Sequence, residues 1–290
     1  MATEAPKKVV EVLTAASEYL ADKGVDNPGM ASKLLLSRLL KCKHLELSFK
    51  FNDDLSEKQL AAMRRGIKRV GSGEPVQYVV GETGFMGHNV KVDERALIPR
   101  PETEVLVETV LACDALWNRK MPVIVDVGTG SGCIVISLAK AKPDARFLAF
   151  DTSADALSLA RENAEALGVA DRIGMAQEDL ADALEPQMVN AVICNLPYIP
   201  TDEYEKLPVH IKDHEPREAL DGGPSGLRVI ESVIFDAAIV LKPDGFIFLE
   251  IAPDQAGRVS SLLAEAGFDE IRVKQDLAKR DRIVWAVLQG

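Results

Sequence analysis

Closely spaced cysteines are missing from this 290-residue sequence. Its four cysteines, Cys42, Cys113, Cys133 and Cys194, are scattered and form no C-x-x-C pair. This spacing argues against a disulfide framework and against a zinc site, so we expect no metal. It is typical of a chain that works in a reducing compartment, and we therefore expect a cytoplasmic protein.

Long apolar runs are also missing. No stretch approaches the length that crosses a bilayer, and the start, residues 1–8, has no apolar segment behind it that would indicate a signal peptide. We expect neither a membrane partner nor export. The hydrophobic content of 47% and the charged content of 27% are those of a globular chain.

Positive charge is scarce outside the front of the chain. The net charge is −11, but residues 1–72 carry +4 and residues 73–290 carry −15. Nucleic-acid affinity rests largely on Lys and Arg contacts to phosphates, so the acidic part argues against a direct nucleic-acid partner. The positively charged N-terminal segment, residues 1–72, fits either a docking surface or ordinary solvated helix faces.

The front of the chain predicts a helical module. Apolar residues recur at helical spacing over 4–22 and 30–41, and the S-x-x-Q pattern at Ser56 predicts a third helix to about Arg69. We expect residues 1–72 to form a helical substrate-docking domain, with a merely stabilising appendage as the alternative.

A glycine-rich break, Gly71–Pro75, marks the predicted domain boundary. The short β-like runs Gln77–Gly81 and His88–Val92 then predict a hairpin, so residues 73–95 are expected to be a linker and β-hairpin. Residues 96–290 form the predicted catalytic domain.

Strands and helices alternate through the catalytic part, with short connections. This alternation predicts an α/β fold, a doubly wound, mostly parallel, seven-stranded sheet of the Rossmann-like kind. The predicted strands are 123–127, 146–151, 172–175, 190–194, 246–250, 271–274 and 283–288.

The first of these strands runs into a loop with glycine at every second position. A dinucleotide fingerprint, G-x-G-x-x-G, fails in both registers, which disfavours a dehydrogenase. The pattern D-x-G-x-G-x-G resembles the first motif of class I S-adenosylmethionine-dependent methyltransferases, and an acid ahead of the loop suits a cationic amino-acid ligand. An ordinary glycine-rich turn is the alternative. The candidate cofactor-binding residues here are Asp126, Gly128, Thr129, Gly130, Ser131 and Gly132.

Polar residues follow the next strands as well. Ligands of such sheets bind at the carboxyl ends of the strands. Asp151 is placed to accept hydrogen bonds from ribose hydroxyls, and the stretch with Asp179 and Leu180 is placed beside an adenine. Asn195 falls on the same rim and is a further candidate for cofactor contact.

The tetrapeptide Asn195-Leu196-Pro197-Tyr198 indicates the chemistry. It resembles the N-P-P-Y tetrapeptide of methyltransferases that alkylate planar nitrogens, although a plain turn has the same composition. The Asn195 side-chain carbonyl and the Leu196 backbone carbonyl can accept the two N–H groups of an amide. Pro197 stiffens the turn, and Tyr198 can pack on the planar group and attract positive charge. We expect Asn195, Pro197 and Tyr198 to be catalytic and all four residues to bind substrate.

A set of further motifs widens the resemblance. Two prolines beside Arg100 and Glu102 restrict the backbone and so place both residues rigidly, which makes them candidate substrate-binding residues. The alternative is that Glu102 and Glu104 merely favour the start of a helix. In order, the chain has Tyr78, Gly81, Phe85, Leu97–Glu104, Asp126–Gly132, Asn195–Tyr198, Glu215–Arg217, Ala219, Leu220 and Asp221–Leu227. This pattern resembles the peptide-chain release factor glutamine methyltransferases.

That resemblance implies an activity and a partner. It implies transfer of a methyl group from S-adenosylmethionine to the side-chain nitrogen N5 of the glutamine in the Gly-Gly-Gln loop of release factors, with S-adenosylhomocysteine as product. It implies cofactor contacts at Gly128–Gly132, at Asp151 and near Leu180, and glutamine contacts at Asn195–Tyr198. Two departures stand out: Leu196 replaces the usual proline, and Leu180 replaces an often aromatic residue.

Other functions remain open at this point. A glutamine methyltransferase acting on a ribosomal protein fits nearly as well. An adenine-N6 nucleic-acid methyltransferase shares the tetrapeptide, but the charge of residues 73–290 disfavours it. A non-catalytic S-adenosylmethionine-binding module is a further alternative, which the intact Asn195, Pro197 and Tyr198 disfavour.

Overall fold

The computed structural model describes residues 7–290, without the side chains of Ala181 and Val209. The beginning of the first predicted helix, residues 4–6, lies outside the described residues. The chain divides into two compact units. The first ends at Glu82 and also includes Pro208–His214, and the second comprises Thr83–Leu207 and Glu215–Gly290.

The first unit is built from helices. They are α1 (Val9–Asp22), α2 (Pro28–Leu40), α3 (Glu57–Gly71), α4 (Val76–Val80) and α11 (Val209–Lys212), with a 3-10 helix at His44–Lys50 and a small sheet of β1 (Lys7–Lys8) and β2 (Asp54–Leu55). The predicted capping box is present, because Ser56 and Gln59 each satisfy the backbone N–H of the other. The apolar stripe of α1 is buried with Leu36 and Met63 in one core.

One local prediction is wrong. The sequence predicts a strand over Gln77–Gly81, but Gln77–Val80 lies in α4 (Val76–Val80) and Gly81 is the residue that ends this helix. Pro75 just before the helix fixes the entry of the chain, and Gly81, at φ 82°, ends it with an N–H bond to Gln77. The hairpin therefore starts later, with β3 (Glu82–Phe85) paired to β4 (His88–Lys91).

The second unit is organised around a seven-stranded sheet, which confirms the predicted fold class. Its strand order is β10-β11-β9-β8-β5-β6-β7. Strands β9, β8, β5, β6 and β7 are parallel to one another. Strand β11 lies between β9 and β10 and is antiparallel to both, so β10 runs in the same direction as the five parallel strands. The strands are β5 (Val123–Val127), β6 (Arg146–Phe150), β7 (Ile173–Ala176), β8 (Val189–Cys194), β9 (Leu241–Glu250), β10 (Phe268–Gln275) and β11 (Asp281–Leu288).

Helices cover both faces of this sheet. Along β5, Ile124 packs in one apolar cluster while Val125 and Val127 pack in the other, because successive side chains of a strand point to opposite faces. The helices are α5 (Pro101–Leu111), α6 (Asp114–Trp117), α7 (Cys133–Ala141), α8 (Ala154–Ala166), α9 (Leu180–Ala183), α10 (Thr201–Tyr204), α12 (Arg228–Val240) and α13 (Ala256–Glu265). Two short 3-10 helices lie at Ala170–Arg172 and Arg217–Ala219. Within residues 7–290, no helix is both long and apolar enough to cross a membrane.

Candidate active site

A cavity of about 870 Å³ opens at the carboxyl ends of β5, β6 and β8. Most of the predicted site residues line it. They are Arg100, Gly128, Thr129, Gly130, Ser131, Asp151, Asp179, Leu180, Asn195, Leu196 and Pro197. The remaining predicted residues, Asp126, Gly132, Glu102 and Tyr198, are not among its lining residues.

The glycine loop forms one wall of this cavity. The N–H groups of Gly128 and Thr129 both donate to the Phe150 carbonyl, which ties the loop to the end of β6. Gly132 has φ 80°, and a Cβ there would lie 2.9 Å from Ile136 Cδ1 and 3.1 Å from Ala160 Cβ. Glycine is therefore required for both its conformation and its close packing.

Asp126 supports this loop from behind. It is fully buried, and its Oδ2 accepts hydrogen bonds from Thr129 Oγ1 at 2.8 Å and from the Val135 N–H at 3.3 Å. Its other oxygen has no partner among the described residues. Burial raises the pKa of the Asp126 carboxyl to about 7, and the bond from Thr129 opposes that rise. A direct contact between Asp126 and the cofactor remains a prediction from the sequence.

Asp151 lies at the cavity edge just after β6. Its Oδ2 accepts the Gly130 N–H and its Oδ1 accepts the Ser153 N–H, both at 2.9 Å. Ser153 separately caps α8 by accepting the Ala156 N–H, as the sequence predicts. These bonds fix the Asp151 carboxylate at the cavity edge, while each oxygen keeps a lone pair for a further donor.

The far wall follows β7. Leu180 is buried at 1% exposure, whereas Glu178 and Asp179 are exposed at the rim. This wall provides apolar surface from Leu180 and carboxylates that can accept hydrogen bonds from a polar base edge.

The tetrapeptide follows β8 and faces the glycine loop. A Cβ on Gly128 would lie 3.2 Å from Leu196 Cδ2, so the two segments touch. The Asn195 Nδ2 donates to Thr103 Oγ1 at 2.9 Å, which leaves the Asn195 carbonyl oxygen available to another donor.

Tyr198 is not among the residues that line the large cavity. Its hydroxyl donates to Glu250 Oε1 at 3.4 Å, and it lines a second cavity of about 450 Å³. Burial is the main reason why the pKa of the Tyr198 phenol lies well above its ordinary value, so the phenol stays a hydrogen-bond donor. Packing of Tyr198 on a substrate stays a prediction.

Arg100 and Glu102, the two candidate substrate-binding residues of the proline-flanked segment, lie in different surroundings. Arg100 lines the cavity and its Nη2 lies 2.5 Å from Glu215 Oε1, while Glu215 Oε2 accepts the Ile98 N–H at 3.2 Å. Glu102 instead pairs with Arg280 at 3.3 Å. The buried Glu215 therefore joins two of the sequence motifs and fixes Arg100 at the cavity wall.

Sequence reasoning missed three polar residues that contact the tetrapeptide. Thr103 contacts Asn195, Glu250 contacts Tyr198, and the Gln255 Nε2 donates to the Tyr198 carbonyl at 2.9 Å. Glu250 had a recognisable signal, since it is an acid at the carboxyl end of an apolar strand, much as Asp151 directly follows β6. Thr103 lies within the segment Leu97–Glu104 that carries the family resemblance, but the sequence shows no sign that Thr103 contacts Asn195 or that Gln255 contacts Tyr198, because these partners are distant in sequence.

The glycines of the Asp221–Leu227 segment pack directly on the tetrapeptide. A Cβ on Gly222 would lie 2.6 Å from the Pro197 carbonyl oxygen, and one on Gly226 would overlap the Tyr198 carbonyl oxygen. The Gly222 N–H also donates to the Ile199 carbonyl at 2.9 Å. This segment therefore holds the backbone of the tetrapeptide in place.

Nucleophilic catalysis by cysteine has no support in the cavity. Cys133 is among the lining residues, but burial raises the pKa of its thiol to about 12, so it stays protonated. Among the described residues, no group of His, Cys, Asp or Glu side chains is arranged to hold a metal ion.

Comparison with known proteins decides the family. Residues 11–81 match the PrmC N-terminal domain, and residues 102–210 match the methyltransferase small domain. The release factor glutamine methyltransferase of Rhodopirellula baltica is 38% identical over 288 residues, covering 97% of this chain and 96% of that protein. That of Chlorobaculum tepidum is 40% identical over 284 residues, covering 94% and 95%. The chain belongs to the release factor glutamine methyltransferase family.

A solved methyltransferase structure has a similar fold. The hMettl16 catalytic domain, in complex with the MAT2A 3'UTR hairpin 6, matches with a TM-score of 0.55 and 16% identity, covering 69% of this chain and 75% of that chain. At this identity the likeness concerns the fold alone, which is the methyltransferase fold that the sequence predicts.

Proposed function

We propose that this protein transfers the methyl group of S-adenosylmethionine to the side-chain amide nitrogen N5 of glutamine in the Gly-Gly-Gln loop of peptide-chain release factors. S-adenosylhomocysteine is the other product. The observation that carries the proposal is the direct contact between the glycine loop and the tetrapeptide, Gly128 against Leu196. This contact supports the proposal because the candidate cofactor-binding loop and the candidate amide-binding tetrapeptide line one cavity.

The residues of the cavity fit S-adenosylmethionine. The positive-φ glycines Gly128, Gly130 and Gly132 allow close approach of its amino-acid part to the backbone. Asp151 can accept from ribose hydroxyls, and Leu180 offers apolar surface to adenine. When bound, the cofactor supplies an electrophilic methyl group on a sulfonium. Asp126 contributes by fixing the loop, and its buried carboxyl favours a cationic neighbour.

Asn195 and Leu196 then orient the substrate. An amide nitrogen has a delocalised lone pair, so it reacts only when its two N–H groups are held and its lone pair faces the methyl carbon. The Asn195 side-chain carbonyl accepts one N–H and the Leu196 backbone carbonyl accepts the other. Orientation of this kind supplies much of the rate enhancement. A strong base is not required, because the proton leaves after the methyl group has been transferred.

The helical front end, residues 1–72, is proposed to dock the protein substrate, with residues 73–95 as linker and hairpin. Within it, Phe49 is 88% exposed and Leu45 is 75% exposed. Lys43 and Lys50 flank these residues in the sequence. Exposed aromatic and apolar side chains in a segment that a lysine flanks on each side suit contact with a protein surface that carries acidic groups.

Release factors rather than nucleic acids are the proposed partner, and the cytoplasm is the proposed place of action. The charge of −15 on residues 73–290 disfavours a phosphate backbone as partner. A ribosomal protein substrate is the remaining alternative, and the test includes it.

The test is incubation of the protein with isotopically labelled S-adenosylmethionine and purified release factor, followed by peptide mass spectrometry. We expect one added methyl group on the glutamine of the Gly-Gly-Gln loop. Release factor with glutamate in place of that glutamine is the matched control, since it lacks the amide nitrogen. Label on a ribosomal protein but not on release factor would contradict the proposed substrate.

A further inference from the structure

The second cavity, of about 450 Å³, begins where the tetrapeptide ends. Asn195, Leu196 and Pro197 line the large cavity, whereas Tyr198 and the two residues after it line the second one. Tyr198 follows Asn195 by three residues, so their Cα atoms are at most about 11 Å apart. A substrate whose glutamine is held at Asn195 can therefore reach the second cavity with residues close to that glutamine.

Hydrogen bonds fix the walls of the second cavity. The Ile199 N–H donates to the Leu220 carbonyl at 3.0 Å, and the Ile199 carbonyl accepts the Gly222 N–H at 2.9 Å. The Gln255 Nε2 donates to the Tyr198 carbonyl at 2.9 Å. These bonds tie the chain around the cavity to neighbouring segments, so the cavity is preformed and a ligand does not have to order its walls.

The lining of the second cavity combines apolar surface with two carboxylates. The apolar part comes from five residues: Tyr198, Ile199, Pro200, Leu207 and Ala252. Glu203 and Asp254 are exposed lining residues, and neither forms a salt bridge within residues 7–290 as the structure describes them. Lys206 also lines the cavity, but its charge is already matched, because its Nζ lies 3.5 Å from Asp202 Oδ2.

A lysine or arginine side chain matches this lining. Its methylene stem covers apolar surface while its charged head stays at the solvent edge, where carboxylates attract it. The aromatic ring of Tyr198 adds a further attraction for a cation. An acidic side chain would instead meet Glu203 and Asp254 as like charges, and a neutral one would gain nothing from either carboxylate.

We propose that the second cavity is a substrate subsite, which binds a lysine or arginine side chain located within three residues of the methylated glutamine. Glu203 and Asp254 select the charge of that side chain, and they act on substrate affinity rather than on methyl transfer. This inference rests on the proposed function, because it takes Asn195 as the residue that holds the glutamine amide. It adds a charge preference for the sequence around that glutamine.

The experiment varies the charge of the substrate and the charge of the cavity together. Release factor variants carry alanine or arginine at one of four positions: the residue before the two glycines, or one of the three residues after the glutamine. KM is measured for each with the wild type, with the double variant Glu203→Gln/Asp254→Asn and with Asp202→Asn. Asp202 is the matched control, since it is 74% exposed on the same helix as Glu203, α10, and does not line the cavity.

The expected result is a preference for arginine that depends on the two carboxylates. At one of the four positions, arginine should lower the wild-type KM about tenfold relative to alanine, because each exposed carboxylate contributes about threefold. The values of kcat and the affinity for S-adenosylhomocysteine should stay unchanged. The double variant should lose the preference for arginine, and Asp202→Asn should keep it.

Charge reversal gives a second test that a merely structural role would not pass. Glu203→Lys should favour glutamate over arginine at the same substrate position. The inference is overturned if no position favours arginine, if the preference survives in the double variant or in Glu203→Lys, or if Asp202→Asn loses it equally. A wild type that leaves every release factor unmethylated contradicts the proposed function on which the inference rests.

Discussion

Replacement of Gly226 by alanine tests how tightly the tetrapeptide is held. Gly226 has φ 71°, and an added Cβ would overlap the Tyr198 carbonyl oxygen and lie 2.9 Å from Gln255 Nε2. Both neighbours belong to the contact that fixes the end of the tetrapeptide. The backbone at Tyr198 must therefore move, and the substitution cannot be absorbed by a flexible side chain.

The magnitude follows from two costs. A left-handed conformation costs a non-glycine residue about 1–2 kcal/mol, and loss of the Gln255 hydrogen bond costs roughly 1 kcal/mol, so we expect about 2–3 kcal/mol less stability. Displacement of catalytic groups by ~1 Å can lower turnover about 100-fold. We expect kcat of Gly226→Ala to fall between about tenfold and 100-fold, with a much smaller change in S-adenosylhomocysteine affinity.

The assay is methylation of release factor at saturating cofactor, together with calorimetric titration and thermal unfolding. Gly257→Ala is the matched control, because Gly257 lies in α13 and a Cβ there meets nothing within 4 Å. Alanine is favoured over glycine within a helix by up to ~1 kcal/mol, so this variant should keep its turnover and its stability. Wild-type turnover in Gly226→Ala, or equal damage in Gly257→Ala, would refute the reasoning.

Three further predictions concern the cofactor, the family departure and docking. Asp151→Ala leaves ribose hydroxyls without an acceptor and should weaken S-adenosylhomocysteine binding by about 1–3 kcal/mol in calorimetry; unchanged affinity would contradict the assignment. Leu196→Pro keeps the backbone carbonyl, so kcat should stay within about threefold of wild type, while loss of buried side-chain packing lowers the Tm; a far larger fall in kcat would oppose a backbone role. Phe49→Asp should reduce methylation of intact release factor more than that of a short Gly-Gly-Gln peptide, and equal losses would argue against docking.

The sheet was predictable because its signals are local. Apolar runs, turn glycines and capping residues lie next to each other in the chain, so β5, the glycine loop and the cap at Ser153 follow from short stretches. The wrong strand prediction at Gln77–Val80 also came from reading a local signal. Its apolar, partly β-branched composition favours a strand, but the flanking Pro75 and Gly81 and the burial of Tyr78 favour a helical turn.

The site was predictable only in part. Asp151 and Asn195 follow parallel strands, so their convergence on one edge of the sheet is a consequence of topology. The bond between Thr103 and Asn195 spans 92 residues, and that between Tyr198 and Glu250 spans 52. Such pairings depend on the register of packed elements, which a single sequence does not display.

The central claim is that Asn195 orients the substrate amide beside the cofactor loop, and Asn195→Ala tests it most directly. The measurement is the kcat for glutamine methylation at saturating S-adenosylmethionine, with S-adenosylhomocysteine affinity determined separately on the same preparation. Loss of one transition-state hydrogen bond predicts a fall of about 100- to 1000-fold in kcat, or ~3–4 kcal/mol, with little change in cofactor affinity. Near-normal turnover, or a loss explained by weaker cofactor binding alone, would contradict the account.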